Sequence, residues 1–519
     1  MNAIHEAVEK GDGDEVLSLL EDGHNINAIN DAYVTPAYLA VLNKQYDVLK
    51  LLLNHNAVQT YFDPLLLATS LDSEEYVQIL IDYKFDPSYQ SDDSDHGFPI
   101  NLWTALHEAC HMGLKKILEI FVRTNCDLDI RNEENATPVY ISCQYGEKEC
   151  LELLLNHGAD AEIPVETGET PLHIACQEGH HGCVATLLNY GVNIESRNEL
   201  ERTSLAVACY HEQYECAKLL IESNASIDGE DNDNSPIHLA ARNIDGLCLS
   251  LLIENGADVN SDLYSCTPLY EAVSANNLPA VKLLLLKGAD PNRICETKYP
   301  LLCKTPLMVA TSEVGNVEII RELVAHGADV NLRTFTSPLI LAAKYKSCES
   351  LNELLSYDID VNYVDIQGES ALTTLCMQLI KNYNSDDYKE LLQCCRKILV
   401  LGGNITQLIT EVSSASTSSI LVPCYVRMCP DLIALLLEFS TRREQMLFLC
   451  SICEECVNQG YDEFDGMYDF FFQPRQLTHL CRVKIRCLLG GKRLGHIKRL
   501  PLPTILKDYL NHKEEMTFE

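Results

Sequence analysis

Cys450, Cys453 and Cys456 stand at i, i+3 and i+6, and Asp93-x-Asp95-x-Gly97 opens with two carboxylates spaced as in a cation loop. A structural zinc site needs four nitrogen or sulfur ligands closing a tetrahedron. No histidine lies near the three cysteines, so the row reads first as helical packing, with zinc as the alternative. The aspartate run lacks the later ligands of a calcium loop. His5, His107, His173 and His238 recur in one register of a repeated pattern. No G-x-S-x-G, P-loop, H-E-x-x-H or dinucleotide fingerprint occurs. Catalytic, cofactor-binding and metal residues are therefore expected to be none, and no cofactor is expected.

The chemistry that remains is recognition. Near the C-terminus, Pro474 suits the first turn of a helix. Leu477, Cys481 and Ile485 then fall at i, i+4 and i+8 on one face. Beyond Gly490 and Gly491 the chain reaches Leu500-Pro501-Leu502-Pro503, where the prolines impose an extended segment. A short helix over residues 504–510 closes the unit. So small a module buries little surface alone and calls for a partner.

These residues resemble a SOCS box. Leu477-x-x-x-Cys481-x-x-x-Ile485 is similar to its BC box, and Leu500-Pro501-Leu502-Pro503 to its cullin box. The resemblance implies that Leu477, Cys481 and Ile485 dock on elongin C, with elongin B beside it. It implies likewise that Leu500, Pro501, Leu502 and Pro503 contact cullin-5 with its RING protein. Gln476 departs from the family, which usually carries a small residue there.

The 519-residue chain is too long for one conventional core, so several domains or a repeat array are expected. The first residues, M-N-A-I-H-E-A-V-E-K, start in an amphipathic pattern with no secretory h-region. The most apolar later stretch, residues 419–439, contains Pro423, Arg427, Pro430 and Asp431, which argues against a membrane span. A cytoplasmic or nuclear protein is expected. The 23 cysteines are scattered rather than framed, and most occupy helical apolar positions, so no disulfide framework is expected.

Charge is uneven. The net −37 combines a basic stretch, residues 474–513, with a body of 29 basic and 72 acidic residues before it. Such a body repels nucleic acid and anionic membrane and favours basic partners, besides securing solubility.

The body repeats. Thr35-Pro36, Thr137-Pro138, Thr170-Pro171, Ser235-Pro236, Thr267-Pro268, Thr305-Pro306 and Ser337-Pro338 each open an apolar run. Looser copies start at Asn2, Asp63, Thr104, Thr203 and Ser370, with a step of 33 across Thr104, Thr137, Thr170 and Thr203. Thr or Ser caps a helix, Pro fills its first turn, and Gly158, Gly256, Gly288 and Gly327 end a second helix. Thr170-Pro171-Leu172-His173 resembles the ankyrin signature, and the resemblance covers roughly residues 1–404. It implies an all-α solenoid of about 12 repeats, in which the recurrent histidines bond neighbouring backbone. Asn260 and Asn331 each end an L-x-x-x-x-x-D-V-N run, similar to sites of the asparaginyl hydroxylase that acts on ankyrin proteins; a hairpin asparagine bonding local backbone is the plainer reading.

Three places break the period. The step from Asp63 to Thr104 is 41, from Thr267 to Thr305 it is 38, and from Thr35 to Asp63 only 28. Extra chain is therefore expected at residues 88–102 and 293–303, and a shortened hairpin in the second repeat. Insertions in repeat arrays often lie on the binding face. The first carries Asp92, Asp93, Asp95 and Phe98 and leads to Trp103, the sole tryptophan and a residue type enriched in interface hot spots. These five are the candidate substrate-binding residues.

The expected organisation is a repeat array over residues 1–404, a helical connector or cap over 405–473, with a thirteenth repeat left open, and a three-helix SOCS box over 474–513. The whole resembles the ankyrin repeat and SOCS box family, which implies a substrate-recognition adaptor of a ubiquitin ligase, with catalysis belonging to partner enzymes. A non-catalytic ankyrin scaffold is the alternative.

Overall fold

The computed structural model describes residues 3–60, 62–90, 102–228, 235–262, 266–295, 303–314, 316–381 and 387–405, and beyond these Leu432, Leu435, Leu436 and Phe439. Among the described residues the fold is helical, with no strand and only three isolated antiparallel bridges. The helices fall into consecutive pairs, from Ala3–Lys10 with Gly13–Glu21 to Ala371–Lys381 with Tyr388–Val400. Two compact units carry them, Met1–Leu263 and Tyr264–Glu519. Within each unit, first helices stack on first helices and second on second, so every pair buries its apolar stripe against its neighbours.

Local chemistry fixes where each first helix starts. Thr35, Thr137, Thr267 and Thr305 hold extended backbone, and each Oγ1 accepts the N–H three residues on. The proline that follows sits in the first turn, where its missing N–H costs nothing. Asp63 does the same for Pro64–Ser70, its carboxylate accepting from Leu65 N at 2.9 Å. Burial pushes that carboxyl up to about 7.

The turn between the helices of a pair needs a left-handed residue. Gly146 fills it at φ +77°. Lys44, Asp72, Glu212, Asn276 and Lys346 fill equivalent positions, at a steric cost that glycine avoids. The core is made of the residues that the repeat pattern marks: Leu106, Leu118, Leu151, Leu154 and Leu187 are fully buried. Removing one such leucine side chain costs about 2–5 kcal/mol. One first helix is irregular: Pro306–Val309 passes into a π turn over Ala310–Val314 instead of ending.

Successive hairpins of the first unit are tied by side chains that reach the next hairpin's backbone. Asp129 accepts from Asp160 N at 2.8 Å, and Glu195 from Ser226 N at 2.7 Å. Where the second hairpin is short, Gln59 takes over: Oε1 accepts from Asp86 N at 2.8 Å and Nε2 donates to Asp86 O at 2.9 Å. Both long connections close at their bases. Gln90 Nε2 donates to Leu102 O at 3.2 Å across the first, and Cys295 N donates to Lys304 O at 3.0 Å across the second.

The cysteines divide. Cys110, Cys143, Cys150, Cys176, Cys183, Cys209, Cys216, Cys248, Cys376 and Cys395 are buried as small apolar side chains, as expected. Burial pushes the Cys150 thiol up to about 12, which keeps it neutral. No disulfide framework is expected from the sequence, and among the described residues one pair is bonded: Cys266 and Cys295 form a disulfide with Cα atoms 4.6 Å apart. Their 29-residue separation places them on successive hairpins, which spacing alone did not reveal.

Candidate functional site

Of the residues singled out for binding, the structure describes Trp103. Asp92, Asp93, Asp95 and Phe98 lie outside the described residues. So do Leu477, Cys481 and Ile485, together with Leu500, Pro501, Leu502 and Pro503, and the Cys450, Cys453, Cys456 row.

Trp103 precedes the capping Thr104 of helix Ala105–His111. Its ring does not swing outward. It stacks on His107 at 5.4 Å between centroids and meets His111 edge-on at 5.9 Å. The indole N–H donates to Glu108 Oε2 at 2.9 Å. Trp103 is thus half-buried and held in place, a wall of a surface rather than a projecting anchor.

His107, beneath it, is structural. Its Nδ1 bonds Thr104 Oγ1 at 2.9 Å, and its Nε2 bonds the carbonyl of Ala136, just before the next cap, at 3.1 Å. His5 on Val34 and His173 on Arg202 repeat the arrangement. Burial holds His107 down at about 4, so its ring is neutral at physiological pH.

Sequence reasoning missed what surrounds the tryptophan. His111 continues the aromatic chain to Tyr145 of the next pair, ring centroids 4.4 Å apart. Met112 caps the same helix as His111, and Tyr145 ends the corresponding helix Pro138–Tyr145; they are 41% and 46% exposed. Glu108 is recessed, its side chain 17% exposed, with Oε2 3.9 Å from His111 Nδ1. The signal was present: Glu108, His111 and Met112 lie four, seven and eight residues past Thr104, and Tyr145 eight past Thr137. Positions four, seven and eight residues past a cap share one face of a first helix. The arrangement gathers aromatic rings, a thioether and one carboxylate on adjacent repeats.

Stacked helix pairs joined by hairpins define a helical repeat array. The family described as "Ankyrin repeats (3 copies)" matches residues 4–93, 88–165, 160–231, 227–295 and 296–396, and the family "SOCS box" matches residues 473–511. The chain belongs to the ankyrin repeat and SOCS box family. It is 27% identical over 209 residues to mouse Ankyrin repeat and SOCS box protein 14, covering 39% of this chain and 30% of that protein. It is also 27% identical over 155 residues to human Transient receptor potential cation channel subfamily A member 1, covering 27% of this chain and 13% of that one. The matches thus span under a third of each relative's length. Among solved structures, the ankyrin repeat domain of Bcl-3, a member of the IkappaB family, aligns at 29% identity with TM-score 0.37, covering 43% of this chain and 99% of that one. Among the described residues no helix is long and apolar enough to cross a membrane.

Proposed function

We propose that the chain is the substrate-recognition adaptor of a cullin-RING ubiquitin ligase. The observation that carries the reading is the joining of two matches in one chain, ankyrin repeats over residues 4–396 and a SOCS box over 473–511. The repeat array holds a target protein. Leu477, Cys481 and Ile485 dock elongin C, bringing elongin B, and Leu500, Pro501, Leu502 and Pro503 select cullin-5 with its RING protein. The chain itself performs no bond-making step. It raises the effective concentration of the target beside the ubiquitin-loaded enzyme, so ubiquitination and proteasomal degradation follow from proximity.

The target presents a basic surface to the array. Support comes from the 29 basic against 72 acidic residues before residue 474. Asp92, Asp93, Asp95 and Phe98 in the first insertion, with Trp103 following them in sequence, are the assigned contact residues. Exposed charges chiefly raise the association rate, while the aromatic residues limit dissociation.

The test is affinity purification of the full chain with the proteasome blocked, comparing wild type with Leu477→Pro/Cys481→Phe. The adaptor reading expects shared array-bound proteins, with ubiquitin chains on them only for wild type. Equal ubiquitination on both would favour a scaffold without ligase coupling. Alanine at residues 500–503 separates the boxes: elongin C stays and cullin-5 is lost.

A further inference from the structure

We infer that Trp103, Glu108, His111, Met112 and Tyr145 form a recognition patch for an arginine side chain of the target protein. This deepens the adaptor reading and rests on it.

The geometry is that of a cation receiver. Three rings run in sequence along adjacent first helices, Trp103 to His111 at 5.9 Å and His111 to Tyr145 at 4.4 Å. Both contacts are edge-to-face, with interplanar angles of 80° and 68°, so the rings present faces in different directions rather than one closed stack. Glu108 lies against Trp103 and His111, and its recess matters: a carboxylate with 17% of its side chain exposed is less screened than a surface aspartate. The indole N–H engages Oε2, which orients the group and leaves Oε1 as the oxygen for a ligand among the hydrogen bonds of the described residues.

The chemistry selects arginine over lysine. A planar guanidinium stacks on an aromatic face while its edge still donates to a carboxylate; an ammonium is a strongly hydrated point charge that does only one of these well. Met112 and Tyr145, both exposed, supply apolar contact for the arginine stem. The acidic body supplies charge complementarity at longer range.

Trp103 is the chain's sole tryptophan, so its emission reports directly on the patch. The full chain is titrated with an acetylated triarginine peptide and with its neutral tricitrulline twin. The expected result is a saturable change in Trp103 emission with the first and none with the second. Glu108→Gln removes the charge but keeps an oxygen for the indole N–H, so it should weaken the response about tenfold or more while the unliganded spectrum stays the same. Tyr145→Leu should weaken it as well. Glu149→Gln, an exposed acid on helix Lys148–Asn156, should change nothing. The assignment is overturned if wild type shows no saturable change, if tricitrulline acts equally, or if Glu108→Gln and Glu149→Gln behave alike. Elongin C capture by the same preparation is scored in parallel. Capture without a peptide response sinks the patch alone, whereas lost capture sinks the adaptor reading.

Discussion

Asn331 grips Asp360 through its side-chain amide: Oδ1 accepts from the N–H of Asp360 at 2.7 Å while Nδ2 donates to the carbonyl of Asp358 at 2.9 Å. The same two-sided hold joins Asn292 to Gly327 O and Asp329 N, and Asn362 to Gly402 O and Asn404 N. An asparagine is suited to this because one planar group offers both a donor and an acceptor to a backbone segment. Asn331 therefore behaves as the backbone-bonding hairpin residue that its position in the repeat suggests.

Asn331→Ala removes both bonds, worth about 1 kcal/mol each in net stability. Hydrogen exchange at the Asp360 amide should quicken by roughly fivefold, since one lost bond of that size shifts local opening by about that factor. Unchanged protection at Asp360 in the variant would show that the hairpins are held by something else.

Asp63 and His107 give the first unit opposed pH dependences. The folded carboxyl of Asp63, raised to about 7 against an ordinary 3.8, prefers its proton, so its contribution is complete below about 4 and is lost as pH rises through 7. His107, lowered to about 4 against 6.5, prefers to be neutral, so its contribution is complete above 6.5 and lost as pH falls to 4. Asp63→Thr restores the cap residue of the sister repeats without a charge. It should stabilise the unit at pH 8 by on the order of 2–4 kcal/mol and do much less at pH 4. Denaturation midpoints at the two pH values check this; an equal effect at both would contradict a buried, proton-holding Asp63.

The Cys266–Cys295 bond predicts a simple map. Proteolysis without reductant should yield one linked peptide pair spanning those residues, while Cys143, Cys176 and Cys209 resist alkylation until denaturant is added. Ready alkylation of both Cys266 and Cys295 in the native, unreduced chain would contradict the bond.

The array was legible because its determinants are local. A capping Thr, a proline in the first turn and a glycine past the second helix each act within a few residues, and the repeats multiply the signal. The positions of extra chain were legible too, since a step of 41 or 38 cannot fit a 33-residue period. The patch around Trp103 was not, because its ring partners come from two helices and their contact depends on how one pair stacks on the next. Trp103 was picked for its type, but its inward stacking on His107 follows from the buried histidine, whose orientation the Ala136 carbonyl fixes a full repeat later. The disulfide was invisible for the same reason: 29 residues is close to one repeat, so Cys266 and Cys295 are distant along the chain and adjacent across hairpins.

The most direct test of the account is elongin capture. Full-length wild type and Leu477→Pro/Cys481→Phe are co-expressed with elongin B and elongin C and purified through a tag on the chain. Truncating or breaking a central apolar anchor typically costs about 2 kcal/mol or more, roughly thirtyfold in affinity for each. The account predicts stoichiometric elongin B/C with wild type and none with the double variant, whose ankyrin array keeps its helical circular dichroism. Full retention of elongin C by the double variant would contradict the adaptor function.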